Sequence, residues 1–148
     1  MFRGATSLNL DAKGRLAVPS RHRDALFAES AGRVVLTAHP HRCLLLYPQP
    51  AWEPIQAKIM SLSSFDRQSS AMQRLLVGYA EDIDLDGAGR MLVSPALREF
   101  AGLDKQVMLV GQGSHFEVWS MDGWKTQLDK LMVGDGVELP TELEGFSL

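Results

Sequence analysis

The chain repeats itself, and that constrains its fold more than any other feature. A shift of 75 residues lays Leu10-Asp11-Ala12-Lys13-Gly14-Arg15 on Leu85-Asp86-Gly87-Ala88-Gly89-Arg90, with Val18 on Val93, Arg23 on Arg98 and Asp24 on Glu99. A shift of 72 then lays Leu44 to Tyr47 on Phe116 to Trp119, and Trp52 on Trp124. Similarity at a fixed offset means one supersecondary unit built twice. The chain therefore divides into a first repeat over 1–52, a connector over 53–79, a second repeat over 80–133 and a tail over 134–148.

Each repeat reads in the same order. Ser7 to Leu10 and Arg15 to Val18 are short strand-compatible segments, and Asp11 to Gly14 between them is a turn by its own chemistry. Aspartate suits the first turn position because its carboxylate accepts from amides ahead, and glycine the fourth because it takes positive φ cheaply. Asp86 and Gly89 repeat those placements, which predicts a hairpin built twice. A helix follows each, over Ser20 to Phe27 and then behind an N-cap at Ser94, with Pro95 at the first helical position and Gly102 past the end. Two strands close each half: Arg33 to Ala38 with Leu44 to Pro48, and Gln106 to Gly111 with His115 to Ser120. Apolar residues at three- and four-residue spacing predict helix over Pro50 to Tyr79 and Met121 to Val133. The expected class is a β-rich α+β fold.

Composition bounds the function. The chain has 148 residues, 45% hydrophobic and 22% charged, enough for a real core. Its apolar runs are far shorter than the ~20 residues of a membrane helix, and the start Met1-Phe2-Arg3-Gly4 has no signal-peptide character. One cysteine, Cys43, permits no internal disulfide and suits a reducing cytoplasm. The net charge of -3 argues against nucleic acid, but the average misleads. Residues 1–42 hold seven Lys/Arg against three acids, a net of +4, while Asp135, Glu138, Glu142 and Glu144 make the glycine-bearing end acidic and predict a mobile tail.

Enzyme and metal readings fail one by one. Asp82, Asp84, Asp86 and Gly87 open like a calcium loop, but Val93 stands where a bidentate glutamate is needed. His39, His41 and Cys43 alternate and would share a strand face suited to zinc, but Pro40 breaks the strand and leaves turn residues and one buried thiol. Gly111-Gln112-Gly113-Ser114 lacks the spacing of a nucleophile elbow or a phosphate loop. His22 and His115 have no partner that suggests a relay, and solvated or capping roles are expected. No catalytic residue, metal or cofactor is expected. The repeated D-x-x-G-R turn remains, either as a purely structural turn or as a binder. Lys13 and Arg15, with Arg3, Arg21 and Arg23, form a basic set around the first copy, suited to phosphates and guanine edges. The second copy has Ala88 where the first has Lys13.

Met1-Phe2-Arg3-Gly4-Ala5-Thr6, Asn9 to Leu16, Leu44-Leu45-Leu46-Tyr47-Pro48, Gln73-Arg74-Leu75-Leu76-Val77-Gly78 and Asp86 to Arg90 closely resemble the MraZ family of bacterial regulators with two AbrB-like repeats. Both D-x-x-x-R signatures are present, at Asp11 to Arg15 and Asp86 to Arg90, and the resemblance runs from Met1 to about Trp124. It implies a double-split β-barrel in which the repeats swap hairpins, assembled into a homo-oligomeric ring, an octamer or dodecamer. It also implies a cytoplasmic, nucleoid-associated repressor that binds short direct repeats of double-stranded DNA in its own promoter, upstream of the division and cell-wall gene cluster. By matching position, Arg15 is the first expected DNA contact, with Lys13 and Arg3 beside it and Arg90 second in rank. Asp11, Gly14, Asp86 and Gly89 shape the loops. The alternative is an oligomeric protein-interaction module of antitoxin-like type.

Overall fold

A computed structural model describes residues 1–132 and 140–145. Among these residues, eight strands fall into two sheets. The strands are β1 (Ala5–Asn9), β2 (Arg15–Ala17), β3 (Arg33–Ala38), β4 (Leu44–Pro48), β5 (Glu81–Asp84), β6 (Arg90–Leu92), β7 (Gln106–Gly111) and β8 (Phe116–Ser120). Six form an antiparallel sheet in the order β1-β7-β8-β4-β3-β5, and β2 pairs with β6 in a separate ribbon. The helices are α1 (Ser20–Ser30), α2 (Gln49–Met60), α3 (Arg67–Met72), α4 (Pro95–Ala101) and α5 (Met121–Leu131). The chain is thus sheet-rich α+β.

The predicted hairpins take a different form. The legs of each turn leave it for different sheets: β1 pairs with β7 of the second half, and β5 pairs with β3 of the first. The two second legs, β2 and β6, meet each other. Each half therefore lends its leading strand to the other half's β-hairpin, β7–β8 or β3–β4. Local turn chemistry shapes the bend but does not choose the partner of a strand, which is decided by what each face can bury.

Burial explains the strand sequences. Every residue of β4 is buried, because helices and ribbon cover both faces of the sheet's centre, so Leu44-Leu45-Leu46-Tyr47 need not alternate. The terminal strands β1 and β5 alternate between exposed and half-buried positions. One face of the sheet packs Leu36, Leu46, Leu109 and Phe116 against Leu16 and Met91 of the ribbon and Leu26 and Leu97 of α1 and α4. On the other face Trp52 of α2 and Leu76 pack on Val35, Leu45 and Tyr47, while Trp124 of α5 packs near Trp119 and Val110. The buried Thr37 hydroxyl donates to the Leu76 carbonyl at 2.6 Å, tying the helical connector to the sheet.

The connector is helical but interrupted. It breaks after α2, resumes at α3 behind an Asp66 cap that accepts from the Ser69 amide at 3.0 Å, and ends in a π-helical turn over Gln73–Val77. The α4 signals read as expected: Ser94 caps, Pro95 starts, and Gly102 closes with φ +61°. The acidic, mobile tail expected over 134–148 lies largely outside the described residues, of which 140–145 hold a 3-10 turn at Thr141–Leu143. Among the described residues, no helix is long and apolar enough to cross a membrane.

His22 corrects an expectation. It is not solvated but 9% exposed, in edge contact with Phe2 and Phe116 at 5.9 and 4.9 Å. Burial, then the neighbouring Arg21 charge, holds its pKa below the usual value. A depressed histidine pKa favours the neutral form in the fold, so its share of stability is present above the unfolded value near 6.5 and fades as pH drops below it. His22→Leu should therefore flatten the fall in Tm between pH 7 and 5; an unchanged slope contradicts the burial.

Candidate nucleic-acid interface

The turn at Asp11 is organised by one carboxylate. Asp11 Oδ1 accepts from the Lys13 amide at 2.9 Å and the Arg15 amide at 2.8 Å, and Oδ2 accepts from Arg15 Nε at 2.7 Å. The Gly14 amide donates to the Asp11 carbonyl at 2.9 Å, and Gly14 takes φ +83°, which disfavours any side chain there. The second turn is the same object. Asp86 accepts from the amides of Ala88 and Arg90, both at 2.9 Å, and from Arg90 Nε at 2.8 Å, with Gly89 at φ +72°. Hydrogen bonds from the backbone and side chain of the following arginine hold both carboxyls below their ordinary pKa.

These exposed ion pairs act on geometry more than on stability. Each guanidinium is anchored through Nε, and among the described residues the Nη groups of Arg15 and Arg90 make no hydrogen bond. In the antiparallel ribbon Arg15 pairs with Leu92 and Ala17 with Arg90, while Leu16 and Met91 point into the core. Arg15, Ala17, Arg90 and Leu92 thus share the outer face. The two arginines are diagonal neighbours there, ~7–8 Å apart between backbones.

The expected cluster of basic residues is only partly assembled. Lys13 is exposed at the tip of the first turn, beside Arg15. Arg3 is not beside them: it sits at the far end of β1, a five-residue strand of ~17 Å. Arg21 donates to Thr6 Oγ1 and, through Nε, to His22 Nε2. Arg23 lies against Gly89, under the second turn, and its counterpart Arg98 lies against Gly14, under the first. Arg23 is near the first turn in sequence but not in space, which corrects its expected place in that basic set. Arg98 takes that place at the first turn, and its alignment with Arg23 at the offset of 75 is the one sequence signal for it.

The rejected sites look different in three dimensions. Asp82 and Asp84 are exposed on β5 while Asp86 is spent on its own turn. Residues 39–43 form a tight turn, closed by the His39 amide on the Cys43 carbonyl at 2.9 Å. The Cys43 thiol is fully buried beside Val110 and Trp119, and burial pushes its pKa up to about 12. His115 is half-buried and stacked on Tyr47 at 4.5 Å rather than solvated. Among the described residues no group of three His, Cys, Asp or Glu is placed to hold a metal.

Two identical Asp-anchored turns flanking a cross-repeat ribbon agree with the sequence comparisons. The chain belongs to the MraZ family. That family, whose description likens it to antitoxins, matches residues 1–75 and 76–135. A transcriptional regulator MraZ of Methylobacillus flagellatus is 78% identical over 148 residues, covering all of both chains. Proteins of the same name from Nitrosomonas eutropha and Nitrosospira multiformis are 53% and 56% identical, again over the full length.

The Asp11 carboxylate should be what makes the first turn rigid. Asp11→Ala should speed hydrogen exchange of the Lys13 and Arg15 amides while leaving the second turn unchanged. Equal exchange in variant and wild type would show that Gly14 and the strand pairs suffice.

Proposed function

We propose that this MraZ family member is a sequence-specific, double-stranded-DNA-binding transcriptional regulator without enzymatic activity, and that the outer face of its β2–β6 ribbon is the reading surface. The carrying observation is the pair Arg15 and Arg90: two guanidiniums on one exposed face, each fixed at Nε with its Nη groups free. The major groove admits a two-stranded β-ribbon, and a guanidinium matches the O6 and N7 acceptors of guanine there. Lys13 at the turn tip suits an adjacent phosphate, and Arg15 ranks above Arg90 because Ala88 offers the second turn no such partner. Arg3, at the far end of β1, is a separate backbone contact. The names of the relatives, transcriptional regulators, support this reading.

The finer reading follows the family. The exchanged strands and ribbon form a double-split β-barrel of two AbrB-like repeats, 1–52 and 80–133, about the connector 53–79. Subunits assemble as a ring, an octamer or dodecamer, cytoplasmic and nucleoid-associated. The ring represses the division and cell-wall gene cluster and its own gene through short direct repeats in its promoter. Exposed apolar residues such as Phe65, Leu131 and Met132 support assembly. One ribbon offers few cations, so a subunit alone binds weakly and salt weakens it further. A ring multiplies the contact along repeats spaced by about one helical turn, ~10 base pairs. The same apolar groups and the family's likeness to antitoxins favour a second reading, an oligomeric protein-interaction module.

Arg15→Ala separates the two. With a duplex from the chain's own upstream region, the variant should keep its assembly size by light scattering and lose affinity by about fivefold or more, since one bidentate guanine contact contributes ~1–3 kcal/mol. Arg90→Ala should lose less. Unchanged affinity in an intact assembly would favour the interaction module.

A further inference from the structure

Arg98 and Arg23 belong neither to the turns nor to the ribbon's outer face, yet each is packed on the other repeat's turn. Arg98 of α4 lays its guanidinium over Gly14: Cζ, Nη1 and Nε stand 2.9, 3.0 and 3.2 Å from where a Cβ on that glycine would sit. Similar distances to three atoms of a planar group describe a face-on contact, which a lysine ammonium cannot copy. Arg23 of α1 packs on Gly89 in the same crossed sense, but through Nε and its Cδ–Cγ stem rather than the guanidinium face.

Each side chain leaves its Nε unpaired there, although Arg23 Nη2 donates to the Val18 carbonyl of its own repeat at 3.1 Å. Arg98 Nε and Arg23 Nε are buried without a partner among the described residues. A sealed donor with no acceptor is disfavoured and rare in folded proteins. Its occurrence at both repeat-related positions ties it to the packing these sites share. The same glycines are held from the opposite half a second time: the Val93 amide donates to the Gly14 carbonyl at 3.0 Å, and the Val18 amide to the Gly89 carbonyl at 2.9 Å. Each turn is thus clamped by its own aspartate on one side and by the other repeat on the other.

We propose that Arg98 is a positioning residue for the first turn and Arg23 for the second, so that each half of the chain sets how the other half presents its ribbon arginine. This rests on the DNA-reading role assigned above to Arg15. The rival explanation is that both arginines touch DNA phosphates directly, and it predicts a different pattern.

Two measurements on the full-length assembled protein decide. In hydrogen exchange followed by mass spectrometry, Arg98→Met should speed exchange across Lys13 to Arg15 by about tenfold and leave Ala88 to Arg90 unchanged, and Arg23→Met should do the reverse. Should Arg98→Met speed exchange along the whole chain, Arg98→Lys, which keeps the stem and the charge, is read instead for the same crossed pattern. In the second measurement, affinity for the promoter duplex, Arg98→Met should cost about fivefold in the wild-type background and less than twofold once Arg15→Ala is present. Exchange that rises only in the variant's own repeat, or in neither turn, overturns the proposal. So does an equal loss of affinity in both backgrounds, which marks a direct contact. The exchange measurement decides the positioning role even if wild-type protein ignores the duplex, in which case the functional reading alone falls.

Discussion

Everything at the candidate interface depends on the pairing of β2 with β6. Three residues per strand make a ribbon too short to persist alone, and it is held because Leu16 and Met91 on its inner side are buried in the main core. Once those two are buried, period-two alternation sends Arg15, Ala17, Arg90 and Leu92 outward. The outward pair of arginines is therefore a consequence of the core, not of surface electrostatics. Exchange of β1 and β5 between the halves fixes the register of the ribbon from both ends, since each turn leads directly from an exchanged strand into a ribbon strand.

The aspartates then tie each turn to the arginine that follows it. A carboxylate that accepts from two amides and a guanidinium leaves the arginine with its Nε committed and, among the described residues, its Nη groups without a hydrogen bond. Such preorganisation lowers the conformational cost of binding, because the side chain is ordered before a partner arrives. The ion pair also moderates the positive field, in keeping with an interface built for shape and donor pattern rather than bulk charge. That suits a chain whose net charge is -3.

Much of this was legible in the sequence, for local reasons. The offset of 75 exposed the repeat, Asp11 and Gly14 specified a turn whose hydrogen bonds are now seen, and Ser94, Pro95 and Gly102 bounded α4 because caps are short-range chemistry. What was not legible depends on remote partners. Turn chemistry alone keeps the hairpin legs together, but strand exchange separates them, and only the family resemblance implied an exchange between the repeats. Arg23 therefore moved from the first turn to the second, and Arg3 proved a strand away from Arg15. His22 reads as polar until Phe2 and Phe116 are brought around it. The break between α2 and α3 carries a local signal, since Asp66 three residues before Ser69 is a capping pair, but the apolar stripe running through it masks that signal.

In the proposed reading the ribbon enters the major groove and reads guanine edges there. Methylation interference tests it most directly, because methyl groups on guanine N7 project into that groove alone. Methylated guanines within the promoter repeats should be depleted from the bound fraction, while a minor-groove ligand such as netropsin leaves binding intact. Binding that tolerates N7 methylation throughout the repeats and yields to netropsin would contradict it.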